Sequence, residues 1–202
     1  NLNQWVQLNG EANYTEKDGM IVGETVLNTP NSFLCTKKKY SDFILKVDLK
    51  VDQGLNSGIQ IRSNSIPEYR DNRVHGYQVE IDPSDRAYSG GIYDEARRGW
   101  LYNLSDNKPA REAFKNGEWN TYRIEALGDT IQTWVNGVPA ANLVDNMTEK
   151  GFIGLQVHGV GGDEEKEGLQ VRWRNIRIMT GDTAWANNKS MDIKKKTYLY
   201  NH

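Results

Sequence analysis

Between Asp42 and Val51 every second residue is apolar, so that Phe43, Leu45, Val47, Leu49 and Val51 share one face and Lys46, Asp48 and Lys50 the other. A period of two is that of a β-strand with one face buried. Comparable runs recur at Gly58 to Ser63, Gly76 to Asp82, Asn120 to Leu127, Thr130 to Val135, Gly151 to His158 and Leu169 to Met179. No stretch keeps apolar residues at helical spacing for more than a turn or two. Turn-forming pairs separate the runs: Asp18-Gly19, Gln53-Gly54, Asn116-Gly117, Gly128-Asp129, Asn136-Gly137 and the stretch Gly159 to Gly162. Gly128-Asp129 between two runs, with Asn136-Gly137 closing the second, predicts a hairpin followed by a tight turn. Many short strands in one chain predict an all-β fold, a two-sheet antiparallel sandwich of jelly-roll type spanning about Trp5 to Met179. Ile66 to Asn72 and Tyr93 to Lys115 lack clean alternation and are expected to be loops over one end or face. Beyond Thr180 the alternation stops. Residues 180–202, with Lys194-Lys195-Lys196 among them, are expected to be an extension packed loosely outside a domain of residues 1–179.

Composition narrows the partners. The 202 residues carry 25 Lys and Arg against 27 Asp and Glu, a net charge of -2 with the signs interspersed. Such a surface has no basic stripe to neutralise phosphates, so nucleic acid is not an expected partner. No apolar run approaches the roughly 20 residues of a membrane-spanning helix. The single cysteine, Cys35, allows neither an internal disulfide nor a cysteine-based zinc site. The sequence begins at Asn1 without an initiator methionine, and the expectation is an exported protein, periplasmic or at the cell surface, whose signal region lies outside the chain.

Alternation also sorts the polar side chains. With the aliphatic residues turned inward, the other face carries Gln60 and Arg62, Gln78, Glu80 and Asp82, Gln132 and Trp134, and Gln156 and His158. Amides and carboxylates supply paired donors and acceptors for sugar hydroxyls, and an indole offers a flat platform for sugar C–H faces. The plainer reading is a solvated outer face, which any antiparallel sheet displays. Glu80 and Asp82 lie about 7 Å apart on one strand face, close enough for repulsion to raise one pKa and suit acid–base work. A comparable strand of jelly-roll retaining glycosidases carries a further glutamate. Here Pro83-Ser84-Asp85 follows instead, so a two-carboxylate glycosidase is not expected, with Asp85 or Glu95 left to approach from a loop. His75 and His158 sit at strand ends beside glycines, where each is a candidate base or ligand. Trp119, at the start of a strand after a turn, is assigned to structure.

Several stretches then form an ordered string. Asp18 to Gly23, Ser32 to Thr36, Tyr40 to Phe43 and Asn56-Ser57-Gly58-Ile59-Gln60-Ile61-Arg62 are followed by His75-Gly76-Tyr77-Gln78-Val79-Glu80-Ile81-Asp82. Ser89 to Tyr93, Gly117 to Asn120, Trp134 to Gly137, Gly151 to Gly159 and Arg174 to Ile178 complete it. In order and spacing the string resembles the 3-keto-disaccharide hydrolase domain family, from Trp5 to Met179. The resemblance implies a concanavalin A-like sandwich with a concave sugar-binding face, in exported bacterial proteins. It also implies cleavage of 3-keto-glycosides, where the ketone acidifies the C2 proton, a base removes it, the glycosidic oxygen leaves and water adds back. Glu80, His158 and Asp82 are the candidate catalytic residues. Arg62, Gln60, Gln78, Trp134, Gln156, Tyr93 and His75 are the candidate substrate contacts. A divalent metal on Glu80, Asp82 and His158 is the candidate cofactor, a carbohydrate the expected ligand, and a sugar 3-dehydrogenase a candidate partner. A non-catalytic carbohydrate-binding module using the same face is the alternative.

Overall fold

The computed structural model describes residues 2–181 and 191–200. Its strands, in chain order, are β1 Trp5–Asn9, β2 Asn13–Lys17, β3 Met20–Glu24, β4 Ser32–Thr36, β5 Phe43–Val51, β6 Ser57–Asn64 and β7 His75–Ile81. They continue with β8 Ile92–Glu95, β9 Gly99–Tyr102, β10 Asn120–Leu127, β11 Thr130–Val135, β12 Val138–Asp145, β13 Phe152–Val157, β14 Gln170–Met179 and β15 Lys196–Tyr198. Seven form one sheet in the order β1-β4-β13-β6-β7-β8-β9, and eight form the other in the order β15-β12-β11-β10-β5-β14-β3-β2. The fold is thus the all-β jelly-roll sandwich that the alternation predicts. Among the described residues no helix is long and apolar enough to cross a membrane.

One apolar core lies between the sheets. Leu45, Val47, Leu49 and Val51 of β5 and Tyr122, Ile124 and Ala126 of β10 meet Ile59 and Ile61 of β6, Tyr77, Val79 and Ile81 of β7, and Leu155 of β13. On β5 the residues between them emerge at the surface, with Lys46 exposed. β6, β7 and β13 behave differently, being buried almost throughout on both faces. The outer face of the seven-stranded sheet is therefore largely withdrawn from solvent. One part of that face is filled by a second apolar cluster of Phe33, Cys35, Val74 and Phe152, against which Leu8 packs. Burial raises the Cys35 thiol pKa.

Two expectations change in this frame. The segment Tyr93 to Lys115 is not an irregular loop: it contains part of β8, all of β9 and a one-turn helix, α1 Lys108–Arg111, capped by the Asn107 side chain. β8 and β9 are four residues each, too short for alternation to register. The C-terminal segment is not loosely packed in its described part. β15 pairs in parallel with Leu143, Val144 and Asp145 of β12, covering an edge that would otherwise present unpaired backbone groups. The Tyr200 backbone is bracketed by the Asn146 side chain, and its hydroxyl accepts from Arg98. Lys196 places its ammonium over the Tyr102 ring.

Candidate functional site

The register of the seven-stranded sheet builds a cleft on its outer face. Glu80 pairs with Gly58, and the Leu155–Ile59 pairing sets Gln156 on the far side of Gly58. Glycine between two polar residues leaves space that a neighbouring side chain takes. A Cβ at position 58 would stand 2.4 Å from Cδ of Gln78, so the missing side chain is what lets the Gln78 amide lie across the strand. One step along, Trp100, Tyr93, Gln78 and Gln60 stand opposite one another in turn across β9, β8, β7 and β6. His158 follows Val157, the last residue of β13. Strand spacing and rise place its Cα about 12 Å from that of Glu80, a gap that two side chains and one sugar ring can span. The resulting cleft, about 570 Å³, is lined by Asn31, Asn56, Gln78, Glu80, Arg86, Tyr93, Glu95, Trp100, Gln156 and His158.

A one-way hydrogen-bond chain holds the carboxylate. Ser63 Oγ donates to Gln60 Oε1 (2.7 Å), Gln60 Nε2 to Gln78 Oε1 (2.7 Å), and Gln78 Nε2 to Glu80 Oε2 (2.9 Å). Asn56 Nδ2 donates to the other oxygen, Oε1, at 2.8 Å. Burial raises the Glu80 pKa above its ordinary value, and the bonds from Asn56 and Gln78 only partly offset it. A carboxyl so placed gives or takes a proton more readily near neutrality than a solvated one. Across the cleft, His158 Nδ1 lies 2.7 Å from the Gly159 carbonyl. A carbonyl only accepts, so Nδ1 carries the proton in the neutral ring and Nε2 keeps its lone pair. Gln156 is fully buried, and neither end of its amide has a protein partner. Two of the three glutamines in this cluster are thus bonded to protein at both ends of the amide, and the third is left for a ligand or water.

Of the ten residues that the sequence proposes, Glu80, His158, Gln78, Gln156 and Tyr93 line the cleft. Gln60 lies behind it as the second link of the chain to Glu80. Arg62 is elsewhere: its left-handed backbone at a strand irregularity sends the guanidinium to the Ser41 and Gly128 carbonyls and to Asp42. It fastens β6 to the opposite sheet. Trp134 lies on β11, in the other sheet, beneath the Arg123 guanidinium, because alternation assigns a residue to a face of its strand and not to a sheet. His75 stacks on Tyr69, with ring centroids 4.0 Å apart, bonds the Arg73 carbonyl and is not a cleft wall. Asp82 is consumed locally, accepting from the backbone and hydroxyl of Ser84, from Arg86 Nε and from the Tyr88 backbone. Burial alone would raise its pKa, but these bonds hold it below the ordinary value. Glu80, Asp82 and His158 therefore do not converge on one point, and among the described residues no three His, Cys, Asp or Glu side chains are grouped to hold a metal. Those three side chains together do not form a set of metal ligands.

Asn31, Arg86 and Trp100 were not legible as site residues. Trp100 lies in the segment without alternation, with the rings of Tyr93 and Tyr88 packed edge-on against it at 5.3 and 5.2 Å. Asn56 and Glu95 carried some signal, the first opening a motif of the string and the second being a carboxylate near the strand. Trp119 is not a lining residue of the cleft, and the Arg174 guanidinium lies 3.9 Å from its ring centroid.

A two-sheet sandwich whose outer face bears a cleft of amides, carboxyls, an imidazole and an indole belongs to the carbohydrate-directed class of jelly rolls. Within it, the chain belongs to the 3-keto-alpha-glucoside-1,2-lyase-like domain family, whose model matches residues 1–179. Among solved structures it is similar to two proteins of Parabacteroides distasonis provisionally named glycosyl hydrolases. One is 18% identical with a TM-score of 0.62 over 89% of both chains. The other is 24% identical with a TM-score of 0.58 over 89% of this chain and all of that one. It is also similar to carbohydrate-binding module CBM66 from Bacillus subtilis, 14% identical with a TM-score of 0.59 over 88% and 96% of the two chains. At such identities the likeness is one of fold. No curated protein matches this chain in sequence.

Proposed function

We propose that this protein cleaves 3-keto-glycosides by removing the C2 proton and expelling the glycosidic oxygen. The observation that carries the reading is the pairing of a buried, hydrogen-bonded Glu80 with a His158 whose tautomer leaves Nε2 free, across a cleft of sugar size. A ketone at C3 makes the C2 proton acidic enough for an imidazole to take. His158 Nε2 is the base. Glu80, inclined by burial to keep its proton, gives that proton to the departing oxygen. The C2–H and C1–O bonds break, C1=C2 forms, and a water returns the His158 proton to Glu80. Water adding across C1=C2 completes a net hydrolysis. Gln156 meets the sugar with one donor and one acceptor, and the Tyr93 and Trp100 rings face its apolar side. The route needs no pair of glycosidase carboxylates, which agrees with the proline after Asp82. The substrate must be supplied by an enzyme that oxidises C3, a sugar 3-dehydrogenase, and an exported location suits such a task.

The test is incubation with an aryl 3-keto-glucoside and with its unoxidised parent. Cleavage of the keto form alone is expected, and His158→Ala should lose about 100-fold or more of it. Equal cleavage of both would make this an ordinary glycosidase, and binding of both without cleavage a carbohydrate-binding module.

A further inference from the structure

Arg86 is placed with more care than its exposure suggests. It lies between β7 and β8 with its side chain 46% exposed, and a solvated arginine at such a site usually wanders. Here Nε donates to Asp82 Oδ2 at 2.7 Å, and the guanidinium stacks 5.1 Å from the Trp100 centroid and 5.5 Å from that of Tyr88. Its backbone carbonyl accepts from Arg111 Nε. The other end of the guanidinium faces the cleft, with Nη2 3.8 Å from Glu80 Oε1. Among the described residues Nη1 and Nη2 donate no hydrogen bond to protein. Asp82 fixes this arrangement twice, by holding Nε and by accepting from Ser84 and Tyr88, which shapes the loop that carries Arg86. A cation held at Nε, with Nη2 beside Glu80 at the cleft, is preorganised for charge that develops there.

We propose that Arg86 is a catalytic residue that stabilises the enolate oxygen formed at C3 when the C2 proton leaves, and that Asp82 is the residue that positions it; this rests on the 3-keto reading. When the C2–H bond breaks, its electron pair forms C2=C3 and the ketone π pair moves to O3, while the proton goes to His158. Negative charge at O3 exists only after that step, so a fixed guanidinium stabilises the enolate more than the ground state. Collapse of the enolate restores C3=O, forms C1=C2 and expels the glycosidic oxygen, which takes the Glu80 proton.

A 3-keto-1,5-anhydrohexitol has the C2 proton but no glycosidic leaving group, so exchange of that proton in D2O, followed by proton NMR, reports enolisation without glycoside cleavage. In Arg86→Gln, exchange of this probe and kcat on the aryl 3-keto-glucoside should fall together by about 100-fold. Dissociation constants for the unoxidised glucoside should stay within about 3-fold, and Arg86→Lys should recover about 10-fold, since charge without the fork serves in part. Asp82→Asn should lower kcat about 10-fold with KM nearly constant, and should cost nothing further in an Arg86→Gln background, because the two act as a unit. Wild-type exchange in Arg86→Gln would overturn the proposal while leaving the 3-keto reading intact. Absence of both exchange and cleavage in the wild-type protein would overturn that reading and this proposal with it.

Discussion

Arg62 offers a sharp test of the division between site and scaffold. Its side chain is 2% exposed, with Nε 2.8 Å from the Ser41 carbonyl, Nη1 2.7 Å from the Gly128 carbonyl and Nη2 3.1 Å from Asp42. Arg62→Met keeps the volume of the stem and removes every donor. Hydrogen bonds to a charged group contribute roughly 1.5–3 kcal/mol each. The two carbonyls lie near the sheet margin, where water can replace part of what is lost, so the lower end applies and together they contribute about 3 kcal/mol. Asp42, with its side chain 52% exposed, adds at most about 1 kcal/mol. Relief from burying the charge offsets a similar amount: burial pulls the Arg62 pKa down, while Asp42 opposes it. The expected loss is therefore about 3 kcal/mol. With a urea m-value of about 2 kcal/mol/M, the midpoint should fall by about 1.5 M with the slope unchanged. Urea titration followed by tryptophan fluorescence and circular dichroism measures it, and kcat/KM on the proposed substrate, an aryl 3-keto-glucoside, should stay within 2-fold at low urea. An unchanged midpoint, or a tenfold loss of kcat/KM in a folded variant, would refute the assignment and return Arg62 to the cleft.

Gly58→Ala should fold, since the added methyl meets the far end of a flexible Gln78 side chain, but it pushes aside the amide that donates to Glu80; kcat should fall about tenfold or more with a circular dichroism spectrum like that of the wild type. The raised Glu80 pKa predicts a limb on the alkaline side of the kcat profile, with activity lost as pH rises through a value above the ordinary carboxylate 4.5. Gln78→Leu removes a hydrogen bond that favours the ionised form, so the limb should move to higher pH; a shift to lower pH would contradict the assigned role. For Asp82 the sign is opposite: its folded pKa lies below 3.8, so its stabilisation is full above that value and disappears as pH falls through the folded one. Asp82→Asn should therefore flatten the acid side of the stability curve measured by urea titration from pH 5 to pH 2. Deleting residues 182–202 should lower stability by about 1–2 kcal/mol through loss of β15 and of the Arg98–Tyr200 hydrogen bond. It should leave kcat/KM unchanged, because the described part of the tail contributes no cleft residue.

Alternation in the long strands determined the fold class by itself, because a period of two over eight or more residues can bury an apolar face only as a sheet. β10 and β11 coincide with their predicted runs, Asn120–Leu127 and Thr130–Val135. Half of the cleft was legible in the same way: Gln78 and Glu80 share a strand face, and Gln156 and His158 share another, whatever the topology. Which faces meet was not legible. Trp134 and Gln78 have the same local signal, yet one lies on β11 and the other on β7, in different sheets, because strand order depends on pairings distant in sequence. The fates of Asp82 and Arg62 were hidden for a related reason, since alternation is blind to the irregularity that turns Arg62 away and to the Ser84–Tyr88 loop that occupies Asp82. Arg86 and Trp100 became site residues only when register laid β8 and β9 beside β7. The chemistry available to each residue is written in its type and its strand. The grouping of Glu80, His158 and Arg86 around one sugar-sized space is a property of long-range backbone hydrogen bonding, which no local pattern encodes.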